Sequence, residues 1–111
     1  MKTSRAAIRY AKALLLDSVE KNSTEETYND MELVKRTFAN NIELKHMVDS
    51  RVIKNSIKLS SLNLIFKQLS SLSKSLIKVL FENNRMNILD VVALKYIERY
   101  KEFKGIQSAT V

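Results

Sequence analysis

The near absence of proline and glycine constrains this chain more than any other feature of its sequence. Its 111 residues contain no proline and a single glycine, Gly105. These two residue types usually punctuate strands, hairpins and loops, so a protein built on β-sheets would be expected to contain more of them. The sequence therefore predicts an all-α fold, and apolar residues recurring at helical spacing indicate a compact bundle of about six helices.

Apolar stripes and capping residues predict where these helices lie. The predicted helices span about residues 5–19, 24–41, 42–48, 57–69, 72–82 and 87–104. Thr24 and Asn87 are the predicted N-caps of the second and last helices. Asn84 is predicted to end the fifth helix in the left-handed conformation, and the last helix is expected to end before Gly105.

The length of the chain fits one domain. Residues 1–105 form the predicted domain, since a single core of this size can bury enough apolar surface to fold. Residues 106–111 lose the helical period and end with β-forming residues, as if another segment began there. Charged residues interrupt every apolar run well before the roughly 20 residues that a bilayer crossing requires, so no direct membrane insertion is expected.

The sequence lacks the patterns that carry chemistry in most enzymes. It has one histidine, His46, and no cysteine, which leaves no paired histidine ligands and no thiolate metal site. One glycine is too few for a phosphate-binding loop. We therefore expect a binding or structural module without catalytic residues, metal or cofactor.

The formal net charge of +7 leaves two interpretations open. The cations are scattered between apolar residues at helical spacing, which favours a solvated outer face. The alternative is a basic helical module that binds nucleic acid. Its candidate phosphate contacts are Lys54, Lys58, Lys67, Lys74 and Lys78. No recognition helix is apparent among them, so no nucleic-acid partner is expected.

Three segments carry a family resemblance. Residues 9–14 have the sequence RYAKAL, residues 76–86 have LIKVLFENNRM, and residues 105–111 have GIQSATV. In this order they resemble three parts of bacterial ATP synthase delta subunits and of the mitochondrial oligomycin sensitivity-conferring protein (OSCP). These parts are the opening of the subunit, an apolar helix that ends in Glu-Asn-Gly-Arg-Leu, and the stretch before the C-terminal part. Asn84 stands where the family usually has glycine, but asparagine can adopt the same left-handed helix end.

The resemblance implies a function. It implies a non-catalytic stator component of the F-type proton-translocating ATP synthase, which connects the catalytic head to the peripheral stalk on the cytoplasmic side of the bacterial inner membrane. The partner implied for this domain is the N-terminal helix of an alpha subunit, held in a groove between the first and fifth helices. The b subunits of the stalk would be engaged through a C-terminal domain that follows a linker starting at residues 106–111. The isolated domain is expected to be a monomer.

The implied groove has eight candidate residues at helical spacing. They are Ala6, Tyr10, Ala13, Leu14, Leu72, Ser75, Leu76 and Val79. Small residues such as Ala13 and Ser75 would let a helix approach closely, and Tyr10 would supply a rigid aromatic anchor. The alternative, that these residues are ordinary bundle core, stays open. The core face of the first helix is expected at Ile8, Ala11, Leu15 and Val19.

Overall fold

Six α-helices and one short 3₁₀ helix make up most of residues 2–109. The computed structural model describes residues 2–109, with side chains described for residues 5–105. The helices are α1 (Lys2–Glu20), α2 (Thr24–Asn40), α3 (Ile42–Asp49), α4 (Asn55–Ile65), α5 (Ser71–Glu82), the 3₁₀ helix Met86–Ile88, and α6 (Leu89–Ala109). No strand occurs within residues 2–109. The prediction of an all-α bundle of about six helices is confirmed.

Helix α6 occupies the centre of the bundle. It packs along both α1 and α2, which are its two most extensive neighbours. The side chains of Val92, Ala93 and Tyr96 on α6 are completely buried. On α1, Ala7 and Ala11 are also completely buried, and their small size allows helix backbones to approach closely.

A buried tyrosine joins the three central helices. The Oη atom of Tyr96 lies 3.2 Å from Ser18 Oγ on α1 and donates a hydrogen bond of 3.0 Å to the carbonyl oxygen of Thr24 on α2. The ring of Tyr100 stacks on the ring of Tyr28, with centroids 4.4 Å apart. The hydrogen bonds of Tyr96 and the stacking of Tyr100 on Tyr28 therefore both fix the position of α6 relative to α1 and α2.

Two asparagines end helices in the left-handed conformation. The φ angle is 53° at Asn22, after α1, and 59° at Asn84, after α5. In each case the next amide reaches back five residues, with Ser23 N donating to Ser18 O at 2.8 Å and Arg85 N to Leu80 O at 2.7 Å. These are the hydrogen bonds of a Schellman termination, in which asparagine tolerates positive φ. The prediction for Asn84 is confirmed.

Several predicted helix boundaries are wrong, including that of α4, which ends at Ile65 and not near residue 69. Thr24 is the first residue of α2 and not its N-cap; Ser23 occupies the N-cap position without a side-chain capping bond. Asn87 lies inside the 3₁₀ helix, which delays the start of α6 to Leu89. Helix α6 also continues through Gly105 to Ala109, because an isolated glycine weakens a helix without ending it.

The assignment of residues 106–111 to a linker stays a prediction. Residues 106–109 belong to α6, so the expected loss of helix after Gly105 is wrong for that stretch. Residues 110 and 111 lie outside the described residues.

The buried face of α1 differs from the predicted one, and α4 buries a lysine. On α1, Val19 is 40% exposed, whereas Ser18 is completely buried because it packs against Tyr96. On α4, Ile57 is 53% exposed, whereas Lys58, a candidate phosphate contact, is buried. The Lys58 ammonium donates to the carbonyl oxygens of Val48 (3.1 Å) and Ser50 (2.6 Å), at the C-terminal end of α3, where a cation is favourable.

Replacing Gly105 by alanine tests the path of α6. A Cβ atom at Gly105 would meet nothing within 4 Å. If the helix continues through this position, Gly105→Ala should raise the free energy of unfolding by up to about 0.8 kcal/mol, since alanine has the higher helix propensity. Urea denaturation measures the change. A loss of stability would indicate instead that Gly105 ends the helix with positive φ.

Replacing Tyr96 by phenylalanine tests the central hydrogen bond. Burial raises the pKa of the Tyr96 phenol above its ordinary value. The folded state therefore favours the neutral phenol, and this contribution to stability is complete below about pH 10 and is lost as the pH rises further.

The Tyr96→Phe variant should lose about 1 kcal/mol of stability at neutral pH, through the lost hydrogen bond. Its stability should also decline less steeply above about pH 10 than that of the parent chain. The pKa of Tyr28 is raised as well, by its hydrogen bond to Glu32, so part of the alkaline decline should remain. Equal alkaline slopes in urea denaturation series would contradict the assignment to Tyr96.

Candidate helix-binding groove

A shallow cavity of about 120 Å³ lies between α1 and α5. Its lining residues are Tyr10, Ala13, Leu14 and Asp17 from α1, and Leu72, Ser75, Leu76 and Val79 from α5. Seven of the eight residues selected from the sequence therefore lie together in what we call the α1–α5 groove. Ala6 does not line this groove and is buried in the core. The role of the seven residues in binding a helix stays a prediction.

The groove has a buried floor and an exposed rim. Leu14 and Leu76 are 4% and 7% exposed, so most of their surface already belongs to the bundle core. Val79 is 40% exposed, and Ala13 and Ser75 are exposed small residues. Apolar surface available to a partner therefore comes from the rim, while the floor limits how deeply a partner can enter.

The two helices that form the groove run in opposite directions. The side-chain amide of Asn83, just after α5, donates a hydrogen bond of 2.8 Å to Tyr10 Oη, in the first half of α1. The later groove residues of α1 then lie along α5 toward Leu72. The hydrogen bond also restricts the ring of Tyr10, which is half-buried, so an incoming partner would meet an already oriented aromatic side chain.

A carboxylate on α2 holds the N-terminal end of α5. One oxygen of Asp30, Oδ2, accepts hydrogen bonds from Ser70 N (3.0 Å), Ser70 Oγ (2.7 Å) and Ser73 Oγ (2.7 Å). A negative charge at a helix N-terminus is favourable, and charge-assisted hydrogen bonds are among the stronger ones. This contact fixes where α5 lies in the bundle and hence the shape of the groove.

One residue that lines the groove and one exposed neighbour on α1 are absent from the candidates selected from the sequence. Asp17 was not among the eight candidates, although it follows Tyr10 by seven residues and Leu14 by three, which puts it on the same stripe. Leu16 is 67% exposed on α1 and follows Ala13 by three residues, so it lies along the outer side of that stripe. Spacing alone could have found Asp17, whereas the exposure of Leu16 required the structure.

Larger cavities also lie elsewhere among the described residues. One, of about 550 Å³, lies between α4 and α5 and is bordered by Leu59, Phe81, Lys74 and Lys78 among others. Cavities of about 430 and 370 Å³ lie at α2–α3–α4 and beside the α3–α4 turn. The α1–α5 groove is smaller, and it is lined by residues at helical spacing on two helices, a geometry that can receive a third helix.

The structure weakens the nucleic-acid alternative. Lys58, one of its five lysines, is buried and already bonded to two carbonyl oxygens. The other four are exposed but distributed over the start of α4, the segment after α4, and α5. The five lysines proposed for phosphate contacts are therefore not available as a set.

The described residues contain neither a candidate metal site nor a candidate membrane span. Among them no group of three or more His, Asp or Glu side chains could hold a metal ion. None of the helices in residues 2–109 combines the length and apolar character needed to cross a bilayer.

Known proteins resemble this chain along its whole length. The family model described as ATP synthase delta (OSCP) subunit matches residues 6–111. The ATP synthase subunit delta of Christiangramia forsetii is 42% identical over 111 residues, which cover 100% of this chain and 60% of that relative. The corresponding subunits of Flavobacterium psychrophilum and Flavobacterium johnsoniae are 40% and 35% identical, and each match covers 100% of this chain and 63% of the relative. The chain thus spans about three-fifths of the length of these relatives.

Removing the Asp30 carboxylate tests how α5 is held. Asp30→Ala should lower the free energy of unfolding by about 2–3 kcal/mol, because it removes three hydrogen bonds and leaves the buried Ser73 hydroxyl without this partner. Glu102→Ala, which removes an exposed carboxylate from α6, should change stability by less than about 0.5 kcal/mol. Urea denaturation of both variants measures the two changes in the free energy of unfolding. Equal losses of stability in the two variants would show that the Asp30 contacts contribute little.

Proposed function

Because the chain belongs to the ATP synthase delta (OSCP) subunit family, we propose that it is a non-catalytic stator component of the F-type ATP synthase. In this proposal the domain connects the catalytic head to the peripheral stalk. It does so by binding the N-terminal helix of an alpha subunit in the α1–α5 groove, and it thereby supports proton-driven ATP synthesis.

The observation that carries the proposal is the composition of the groove. Two antiparallel helices present apolar and small side chains at the spacing of helical turns, with exposed Ala13, Ser75 and Val79 along the rim. An amphipathic helix buries its apolar face in such a groove through residues three and four apart. Small rim residues permit close approach, and Tyr10 offers a fixed aromatic contact.

A tether of this kind acts through binding energy and needs no catalytic residue in this chain. Rotation of a central shaft exerts torque on the head, and the head turns with the shaft unless it is held. Burial of a few hundred Å² of apolar surface, at about 25 cal/mol per Å², provides several kcal/mol before the entropy of association is subtracted.

The wider assembly is part of the same proposal. The b subunits of the peripheral stalk are contacted through the C-terminal part that the resemblance implies, and the matched region covers only 60% and 63% of two of the relatives. The domain is a peripheral component on the cytoplasmic side of the bacterial inner membrane. Residues 106–111 lead toward that C-terminal part, and the isolated domain is a monomer.

Calorimetric titration with a synthetic peptide of the alpha-subunit N-terminal helix tests the proposal. We expect saturable one-to-one binding with a negative heat-capacity change, which marks burial of apolar surface. Val79→Asp and Tyr10→Asp should each weaken binding by at least about ten-fold, since a docked helix would bury an unpaired charge. The circular dichroism spectrum should stay helical.

Val52→Asp is the matched control for Val79→Asp. Val52 is 91% exposed between α3 and α4 and lies outside the groove, so its substitution should leave peptide affinity unchanged. Unchanged affinity in folded Val79→Asp would contradict the groove assignment. Absence of peptide binding together with tight, strongly salt-dependent DNA binding would favour the nucleic-acid function instead.

A further inference from the structure

One charged side chain lies within the otherwise uncharged α1–α5 groove. Among the described residues that line the groove, Asp17 alone carries a formal charge. Its side chain is exposed, and none of the ion pairs found among the described residues includes it. The Asp17 carboxylate is therefore exposed to solvent on the surface that a partner would cover.

The position of Asp17 gives the groove two chemically different ends. Asn83 and Tyr10 form a neutral hydrogen bond at one end. Asp17 lies two helical turns further along α1, toward the end where α5 begins near Leu72. Among the residues that line the groove, the negative charge therefore lies near one end.

Covering a carboxylate has a large energetic consequence. A docked helix displaces water from Asp17, and a desolvated carboxylate without a partner strongly disfavours the complex. A lysine or arginine at the facing position restores the lost interactions, and arginine can do so with two parallel hydrogen bonds. A helix that presents only apolar side chains there is rejected, which is how an unpaired charge produces specificity.

We propose that Asp17 is a specificity-determining residue of the α1–α5 groove, which selects a helix carrying a lysine or arginine beside its apolar stripe. The inference rests on the proposed function, since it concerns the helix that occupies the same groove. Because the two ends of the groove differ, the pair also sets the direction and register in which the helix lies.

A double-mutant cycle tests the pair. The parent chain and Asp17→Asn are titrated calorimetrically with the alpha-subunit peptide and with variants in which each lysine or arginine is replaced in turn by glutamine. We expect Asp17→Asn to weaken binding of the unmodified peptide about ten-fold. One peptide substitution should weaken binding to the parent chain by a similar factor and have no further effect in Asp17→Asn.

Two further variants separate a specific pair from general electrostatics. Glu43→Gln removes one exposed negative charge from α3, outside the groove, and should leave affinity unchanged. Asp17→Lys should bind the unmodified peptide poorly and recover affinity when the identified peptide cation is replaced by glutamate.

The outcomes distinguish this inference from the proposed function. If the parent chain binds the peptide but Asp17→Asn binds it equally well or more tightly, Asp17 selects no cation and only the inference is overturned. The inference is also overturned if the effects of Asp17→Asn and of every peptide substitution on the binding free energy simply add. If the parent chain does not bind the peptide at all, the proposed function fails, and the inference fails with it.

Discussion

Burial of α6 between α1 and α2 is the constraint on which the rest of the bundle depends. A central helix can be enclosed only if its neighbours approach closely, which Ala7 and Ala11 on α1 permit. Tyr96 then adds a polar requirement, since its buried hydroxyl must find partners, and it finds them at Ser18 and the Thr24 carbonyl. Packing and hydrogen bonding together fix the rotation of α1 about its own axis.

That rotation decides which residues of α1 remain available for a partner. The face that carries Ala7 and Ala11 is used by the core, which leaves the adjacent stripe through Tyr10 and Ala13 facing α5. Helix α5 is placed independently, through the hydrogen bonds that its N-terminal serines make to Asp30 on α2. The groove is therefore a consequence of two separate structural contacts, and it presents apolar surface that the fold itself does not use.

The positive charge of the chain has largely structural or solvating roles. Lys58 binds the carbonyl end of α3, and Lys45 joins α3 to the start of α6 through Asn87 O and the Asp90 carboxylate. Exposed lysines elsewhere lie on several helices, as is typical of a solvated surface. Within the groove the relevant charge is negative, at Asp17, and its effect on a partner follows from desolvation more than from the net charge of the domain.

The sequence by itself determined the features that depend on neighbours along the chain. Scarcity of proline and glycine, with helical periodicity, was sufficient for the all-α class and the number of helices, and the tolerance of asparagine for positive φ was sufficient for Asn84. Periodicity also grouped the groove residues, since residues three and four apart share a helix face whatever surrounds them. Only the tertiary structure decided which face is buried, that Lys58 lies inside, and that Asp30 caps another helix. These outcomes depend on contacts between residues distant in sequence, whose energies exceed local preferences and leave no periodic signal along the chain.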